Sequence, residues 1–453
     1  MKAGLFVLPA VFLAGCAVGP NYHRPQVPLP DTFRNAPPTP GADSIGDAKW
    51  QTLFSDDTVN TLVTKALANN FDLRIAAERA QEARAQLGIT RANQFPFVDA
   101  QAGFTGSRGS SVGSTTFIPP GTKIQSAYTT VGAALSWELD LWGRLRRLTE
   151  AARANYLASE EGRRAVQVSL VSDVIDSYFQ LLEQDSELEI SRKTEAAARD
   201  SLRIVQLRHD RGAASALDVR QAEQLLYTAT SRIAAAQRSV AQTENLLSLL
   251  QGSAPDAQPR GRKLEDIPVP AQVAPGIPSA LLARRPDIRA AEQNLVAANA
   301  QIGAARALYF PQISLTAFAG GQSRYLLDIA SAPARVYSVA PTALQAIFHG
   351  GQLRNQVRFT EAQEREMLVT YQRSIYTALR EVADALVGFD RLHEERAQQE
   401  QLVATLEDTV RLSELRYRGG LDSFLQVLDA QRNLFTGELA LAQLRLQERV
   451  GLV

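Results

Sequence analysis

This chain of 453 residues has little net charge, one cysteine and no long apolar run. Its 48 Lys and Arg balance its 48 Asp and Glu, so the charge does not favour a nucleic-acid partner. Beyond residues 1–15 no apolar stretch reaches the roughly 18 residues that a transmembrane helix needs. If the rest of the chain spans a membrane, it must therefore do so as a closed β-barrel, because open backbone is not tolerated in lipid.

The N-terminus is typical of an exported lipoprotein. Residues 1–15 combine one Lys, a short apolar run and small residues, which predicts a signal peptide. The following Cys16 completes a stretch that resembles the bacterial lipobox, and there the cysteine becomes the first residue and carries lipid. Ala17, where Asp would stand for inner-membrane retention, favours the outer membrane by the same analogy. The alternative is an ordinary signal peptide with an incidental cysteine. Residues 16–49 are rich in proline and are predicted to be extended.

Two stretches show that the chain is duplicated, "RHDRGAASALDVRQAEQLL" and "RYRGGLDSFLQVLDAQRNL". They align at a shift of 208 residues, which places Gly212 on Gly420 and Ser215 on Ser423. A shift of 215 residues aligns "AQLG" with "AQIG" further upstream. We therefore predict two repeats, residues 50–250 and 279–449. A linker rich in Pro and Gly, residues 251–278, separates them.

Each repeat is predicted to contain a long helical hairpin. In the second repeat, apolar residues follow a 3-4 spacing that is typical of a coiled-coil seam: Leu368, Tyr371, Ile375, Ala378, Val382, Ala385, Phe389 and Leu392. Glycines end the long helices, so the hairpin tips are predicted at about 209–217 and 417–425. Ser215 and Ser423 are candidate N-caps of the returning helices.

Alternating apolar and polar residues upstream of the long helices predict four strands. They lie at about 96–108, 126–140, 311–321 and 334–348, and Pro341 makes the last one the weakest prediction. Four strands cannot close a barrel, because about eight are the known minimum. A membrane-spanning sheet would therefore require several copies of the chain, in a number that the residues leave open.

Together, the lipobox with "CAVGPNYHRP", the repeats, the strand pairs that open with "FP" and the "RY..G..S.L.VLDAQR.L" tip resemble the outer membrane factor family. The likeness is greatest to its lipoprotein branch of OprM- and NodT-like proteins, and TolC is more distant. The resemblance implies a mostly helical homotrimer with a 12-stranded β-barrel in outer-membrane lipid and an α-helical barrel in the periplasm. It implies a non-enzymatic exit duct that docks a periplasmic adaptor protein and an inner-membrane pump of the RND type.

The resemblance also assigns roles at the second tip. Asp429 matches an acidic ring of the periplasmic gate, Leu425 a hydrophobic ring and Arg432 a bridging basic residue. The first repeat has Gln221 at the position of Asp429, so one repeat would line the gate and the other would support it. Gln426 stands where some relatives carry a second acidic ring, which argues against two rings. The alternative is that Asp429 and Arg432 form an ordinary solvent-exposed pair.

The tips themselves are the expected contact for the adaptor protein. Small residues occur at both turns: Gly212, Ala213, Ser215, Gly420 and Ser423. The alternative is that the glycines simply end helices.

Other signals carry less weight. "GSSVG", residues 109–113, matches a nucleophile elbow but lies in a polar loop without the required strand and helix. The four histidines lack metal-ligand spacing and no phosphate loop is present, so we expect no metal and no cofactor. Two alternatives to the efflux duct remain open, an export duct for a protein and a lipid-anchored helical scaffold without a pore.

Overall fold

The computed structural model of the chain describes residues 17–34, 44–45, 50–54, 56–110, 124–270, 273–274 and 276–453. The predicted signal peptide and Cys16 lie outside the described residues, and so does most of "GSSVG". The described chain is mostly helical with four strands, which confirms the predicted fold class.

The chain forms two compact units that interleave in sequence. The sheet unit comprises Met1–Gln26, Arg79–Glu160 and Ala290–Gln372, and the helical unit comprises Val27–Glu78, Glu161–Arg289 and Arg373–Val453. Each unit therefore draws residues from both of the predicted repeats.

The helices of the described chain include four very long ones that form two hairpins. Their bounds are α1 Trp50–Leu53, α2 Asp57–Asn69, α3 Phe71–Ala92, α4 Arg144–Asp210, α5 Ala216–Leu250, α6 Leu281–Arg284, α7 Pro286–Ala307, α8 Gln352–Arg418 and α9 Phe424–Val450. Helices α4 and α8 have 67 residues each, as expected for equivalent elements of two repeats. None of the described helices is long and apolar enough to cross a membrane.

The strands form one antiparallel sheet in the sheet unit. Their bounds are β1 Phe97–Arg108, β2 Gln125–Leu139, β3 Gln312–Ser323 and β4 Arg335–Leu344. The sheet order is β1-β2-β3-β4, so the central pair β2 and β3 joins strands from the two repeats. Strand β1 is exposed along its whole length, and the edge strands β1 and β4 each have an outer side that no other described strand pairs.

The contact of β2 with β3 depends on two glycines that face each other, Gly132 and Gly320. A Cβ atom on Gly132 would lie 2.8 Å from the Cα of Gly320, and one on Gly320 would lie 2.2 Å from the carbonyl oxygen of Val131. Both distances are too short for a real side chain, so this strand pair closes only around glycine.

Pro341 lies inside β4 and pairs with Leu315. Within the sheet of the single chain β4 is an edge strand, which is where a proline without an N–H is usually found. Strand β4 ends at Leu344, earlier than the predicted end at 348.

The helical unit has a core of buried aromatic and aliphatic side chains. They come from α2, α4, α5, α9 and the segment between the repeats. The largest fully buried members of the core are Tyr178, Phe179, Ile175, Leu181, Leu247 and Leu264. Tyr178 also accepts the amide N–H of Gly261 at 2.8 Å, so its hydroxyl is not left without a partner.

The segment predicted as a linker belongs to the helical unit and packs into its core. Leu264 and Ile267 are buried in its core. Arg260 pairs with Asp185 on α4 at 2.9 Å, and Arg445 on α9 pairs with Glu265 at 2.8 Å. These contacts fasten the segment to helices from both hairpins, so its proline and glycine content does not make it a free tether.

The seam predicted on α8 is buried at Tyr371, Ile375, Ala378 and Phe389. Ala385 is exposed, and the adjacent Leu386 is buried instead. A straight helix has 3.6 residues a turn, so a strict seven-residue pattern drifts around it and a 3-4-4 spacing keeps to one face. The predicted seam was therefore wrong at one position, Ala385, where Leu386 is the buried residue.

The described N-terminal segment of the sheet unit, residues 17–26, forms no helix or strand and is held by polar contacts. Arg147 is buried and donates to the side-chain oxygen of Asn21 at 2.7 Å. Arg24 forms a two-pronged ion pair with Glu292 on α7, at 2.7 Å for one of its contacts. These buried partners fix the path of the residues that follow the predicted lipid site.

The paired hairpin tips as the candidate functional site

The two hairpins turn with the same backbone geometry. Gly212 lies between α4 and α5, Gly420 lies between α8 and α9, and each has a φ of 74°. The residue after each glycine donates its amide to the carbonyl five residues earlier, at 2.8 Å and 3.0 Å. This is the Schellman ending of a helix, which favours glycine because of its positive φ. The duplication seen in the sequence is therefore a duplication of tip structure.

The returning helices begin differently. Ser215 and Asp218 form a complete capping box at the start of α5, and the Ser215 hydroxyl accepts the Asp218 amide at 3.1 Å. Ser423 stands at the N-cap position of α9 but makes no side-chain capping hydrogen bond. The N-cap prediction is thus confirmed in full for Ser215 and only in position for Ser423.

An ion pair stabilises the second turn where the capping bond is absent. Arg416 donates to both carboxylate oxygens of Asp422, at 2.6 Å and 3.0 Å. These hydrogen bonds from Arg416 lower the pKa of Asp422 below its ordinary value. The first repeat has Ala214 at the position of Asp422, so this local pair belongs to the second tip alone.

A different arginine joins the two tips. Arg208, the counterpart of Arg416 in the first repeat, stacks on the ring of Tyr417. Its guanidinium also lies 3.4 Å from the carbonyl oxygen of Tyr417. The Tyr417 ring in turn packs against Phe424 at the start of α9, with 5.5 Å between ring centroids. Both tips thus share one small core.

The residues predicted for the gate lie on one exposed face of α9. Leu425, Asp429 and Arg432 are all exposed, and Leu425 is 50% accessible. Asp429 accepts a hydrogen bond from Asn433 at 3.2 Å. Among the described residues neither Asp429 nor Arg432 forms an ion pair, so the simple local pair considered for them is not made. An apolar, an acidic and a basic side chain are therefore presented outward beside the tip.

The five residues predicted for adaptor docking are exposed at the two turns: Gly212, Ala213, Ser215, Gly420 and Ser423. A Cβ atom added to either glycine would meet no other atom within 4 Å, so the surface around both turns is open.

Sequence reasoning missed the contact between the tips. Arg208 and Tyr417 were seen only as parts of aligned motifs, and nothing in the spacing indicated that one would stack on the other. One signal was available in the alignment of Arg208 with Arg416. Arg416 has a nearby acidic residue, Asp422, whereas the first repeat has none at that position, so Arg208 had to find its partner elsewhere.

Comparisons with known proteins agree with this architecture. The chain matches the family described as "Outer membrane efflux protein" over residues 62–253 and 277–450, which covers both hairpins and the sheet.

Similar proteins span nearly the whole chain. It is 36% identical to the cation efflux system protein CusC of Escherichia coli O6:H1 over 98% of this chain and 95% of CusC. It is 38% identical to the solvent efflux pump outer membrane protein SrpC of Pseudomonas putida over 94% of this chain and 91% of SrpC. The solved open state of the Neisseria gonorrhoeae MtrE outer membrane channel matches with a TM-score of 0.85 and 29% identity, over 96% of each chain.

These matches favour a channel over an enzyme or a scaffold without a pore. The family match covers most of the chain, and the fold agrees with a solved channel of that type. The chain belongs to the outer membrane efflux protein family and is a non-enzymatic outer-membrane channel of an efflux pump that extends into the periplasm.

Proposed function

We propose that three copies of this chain form the exit duct of a tripartite efflux pump, closed at rest by the exposed face of α9. The observation that carries the proposal is the outward face of Leu425, Asp429 and Arg432 beside a tip that is fastened to its partner tip. The resemblance to outer membrane factors supplies the number of copies.

Assembly of several copies follows from the sheet. Strands β1 and β4 are both edges, and unpaired backbone groups on an edge attract another strand. Pairing β4 of one copy with β1 of the next would join three sheets into one closed sheet of twelve strands. Closure leaves no edge, which is the arrangement that lipid requires.

The gate would act through electrostatics and packing together. Three Asp429 carboxylates that converge on one axis repel each other, so they would need cations or arginine partners to stay close. Arg432 has no ion pair in the described chain and is the candidate partner across copies. Leu425 lies one helical turn from Asp429 on the same face and would add an apolar constriction.

The partners would meet the tips. The exposed small residues at both turns give six similar docking points in a trimer, which suits a periplasmic adaptor protein. The adaptor would connect the duct to an inner-membrane pump of the RND type. Lipid on Cys16 would anchor each copy to the outer membrane.

Small solutes are the proposed cargo. CusC and SrpC are named for the efflux of cations and solvents, two chemically different classes, and both are similarly close to this chain. A duct whose cargo is chosen elsewhere in the pump fits that breadth better than a duct built for one secreted protein.

Single-channel conductance in planar bilayers tests the gate. We expect a small conductance for the purified protein and a several-fold larger one for Asp429→Ala. Gln221→Ala, which changes the equivalent position of the first repeat, is the matched control and should conduct like the unchanged protein. Equal conductance for Asp429→Ala and the unchanged protein would place the constriction elsewhere.

A further inference from the structure

We propose that Gln431 is the positioning residue that fixes the rotation of α9, and with it the direction of the gate face. The inference rests on the proposed gate, because a rotation of α9 matters for conduction only if that face closes the duct. Gln431 itself faces away from the gate.

One amide group joins three helices at this point. Gln431 on α9 is 7% exposed, and its Nε2 lies 3.2 Å from Ser201 Oγ on α4 and 3.2 Å from Glu414 Oε1 on α8. A carboxylate only accepts, so the amide nitrogen has to point towards Glu414. Both N–H groups of a single side chain are thus used to hold α9 against the ends of the two long helices.

Gln431 and the proposed gate residues lie on different faces of the same helix. Successive residues on a helix are about 100° apart, so Gln431 lies roughly 200° around α9 from Asp429. A turn of α9 that breaks the contacts of Gln431 must therefore swing Asp429 and Arg432 by the same angle.

Apolar packing of Phe424, Val427 and Leu428 holds α9 at the tip, but it leaves a gap beside the partners of Gln431. Beside the amide lies a cavity lined by Ser201 and Glu414, the two partners of Gln431, and by Tyr417, Phe424 and Val427. Dense packing resists rotation of a helix, whereas a cavity offers no atoms to oppose it. The directional hydrogen bonds of Gln431 add to the apolar packing and specify the angle of α9 beside this gap.

A purely structural role explains the residue poorly. The Oε1 of Gln431 is buried and has no hydrogen-bond partner within the described residues, which costs free energy that an apolar side chain would not incur. The first repeat has Glu223 at the equivalent position, and Glu223 pairs with Arg220 on its own helix at 2.7 Å. The bridge between helices thus occurs in the hairpin that carries Asp429.

A pair of complementary substitutions tests the proposal. Gln431→Glu places a second carboxylate against Glu414, and the repulsion should push α9 away. The double variant Gln431→Glu with Glu414→Gln restores one donor and one acceptor, now with the amide on α8 and the carboxylate on α9. Glu414→Gln alone keeps an acceptor for Gln431. Gln443→Glu makes the same charge change at an exposed position of α9 and is the matched control.

Two readouts separate the positioning role from the gate. The first is the distance between nitroxide labels at Gln206→Cys on α4 and Thr436→Cys on α9, and the second is single-channel conductance. We expect Gln431→Glu to lengthen the label distance and raise conductance several-fold, and the double variant to return both to the original values. Gln443→Glu should change neither.

The displacement should also depend on pH. The charged groups near this amide are Glu414 and Arg418 on α8 and Asp200 on α4. Protonation of the carboxyl that Gln431→Glu introduces would restore a hydrogen bond to Glu414, so the label distance of this variant should be longer at pH 8 than at pH 5. A general loss of folding would show no such reversal.

The outcomes are distinct. An unchanged label distance in folded Gln431→Glu, or a lengthened one that the double variant fails to restore, overturns the positioning role. A lengthened and restorable distance supports it, even where Asp429→Ala leaves conductance unchanged and the proposed gate fails.

Discussion

The guanidinium carbon of Arg208 lies 4.3 Å from the ring centroid of Tyr417, so a cation–π contact fastens the first hairpin tip to the second. The equivalent arginine of the second repeat, Arg416, pairs with its neighbour Asp422 instead. One duplicated position has thus acquired two roles, contact between hairpins in one copy and local turn stabilisation in the other.

Loss of the contact between the tips should loosen both of them. We expect Arg208→Gln to destabilise the tip region by about 1 kcal/mol, the size of a partly exposed cation–π contact. Amide hydrogen exchange at residues 205–225 and 415–430 measures this directly. Exchange should accelerate at both tips, including the one that carries no substitution.

Arg416→Gln is the matched control for Arg208→Gln. It removes an exposed ion pair within one turn, so faster exchange should stay confined to the second tip. If amide exchange accelerates at both tips in both variants, the tips unfold together and the contact of Arg208 with Tyr417 is not what links them.

The two N-cap serines offer a second comparison. Ser215→Ala removes a capping box and should cost about 1 kcal/mol at the start of α5. Ser423→Ala removes no capping bond, so α9 should start with nearly unchanged stability. Thermal unfolding of the two variants in detergent checks this order. Equal losses would mean that Ser423 caps α9 in the assembled protein.

Much of the fold was predictable because the elements depend on the local spacing of apolar residues and glycines. The alternation in β1 and the tip glycines Gly212 and Gly420 depend on neighbouring residues alone, and the structure has a strand and positive φ values there. The shared exposed face of Leu425 and Asp429, which we propose as the gate, was predictable in the same way, because the two residues are one helical turn apart.

Contacts between distant segments were not predictable by these means. Nothing in spacing showed that Gln431 would meet Ser201 and Glu414, because that depends on how three helices are placed in space. The packing of the segment around Leu264 was missed for a related reason. Proline and glycine indicate that a segment is neither helix nor strand, but they do not indicate whether its side chains are buried.

The glycine pair in the sheet gives a third prediction. Gly320→Ala would place a Cβ atom 2.2 Å from the carbonyl oxygen of Val131, so β2 and β3 cannot keep their spacing. We expect a destabilisation of about 1–3 kcal/mol, as for overpacked sites, and a lower yield of heat-resistant oligomer on gels. Gly103→Ala in β1 is the control, because a Cβ atom there meets nothing within 4 Å. Equal yields would show that the strands adjust without cost.

A buried carboxyl on α4 should make stability depend on pH. Glu183 is 7% exposed and lies one helical turn from Glu187, whose carboxylate pairs with Arg232 on α5. Burial, and to a smaller extent the negative charge of Glu187, raise the pKa of Glu183 to about 7 against the opposing effect of Arg232. Between the ordinary pKa of a glutamate, 4.5, and the raised value of about 7, the folded protein binds more protons than the unfolded chain. The free energy of unfolding therefore falls as pH rises through that range.

Glu183→Gln should remove this decline, because an amide stays neutral at every pH. Relative to the unchanged protein, the variant should gain on the order of 1–3 kcal/mol per copy at pH 8 and little at pH 5, where the carboxyl is already protonated. Thermal unfolding at both pH values measures the difference. Glu394→Gln, which alters an exposed carboxylate paired with Arg391, should show no such pH dependence. A gain of equal size at pH 5 and pH 8 would assign the effect to packing, and would mean that Glu183 is not the group that titrates.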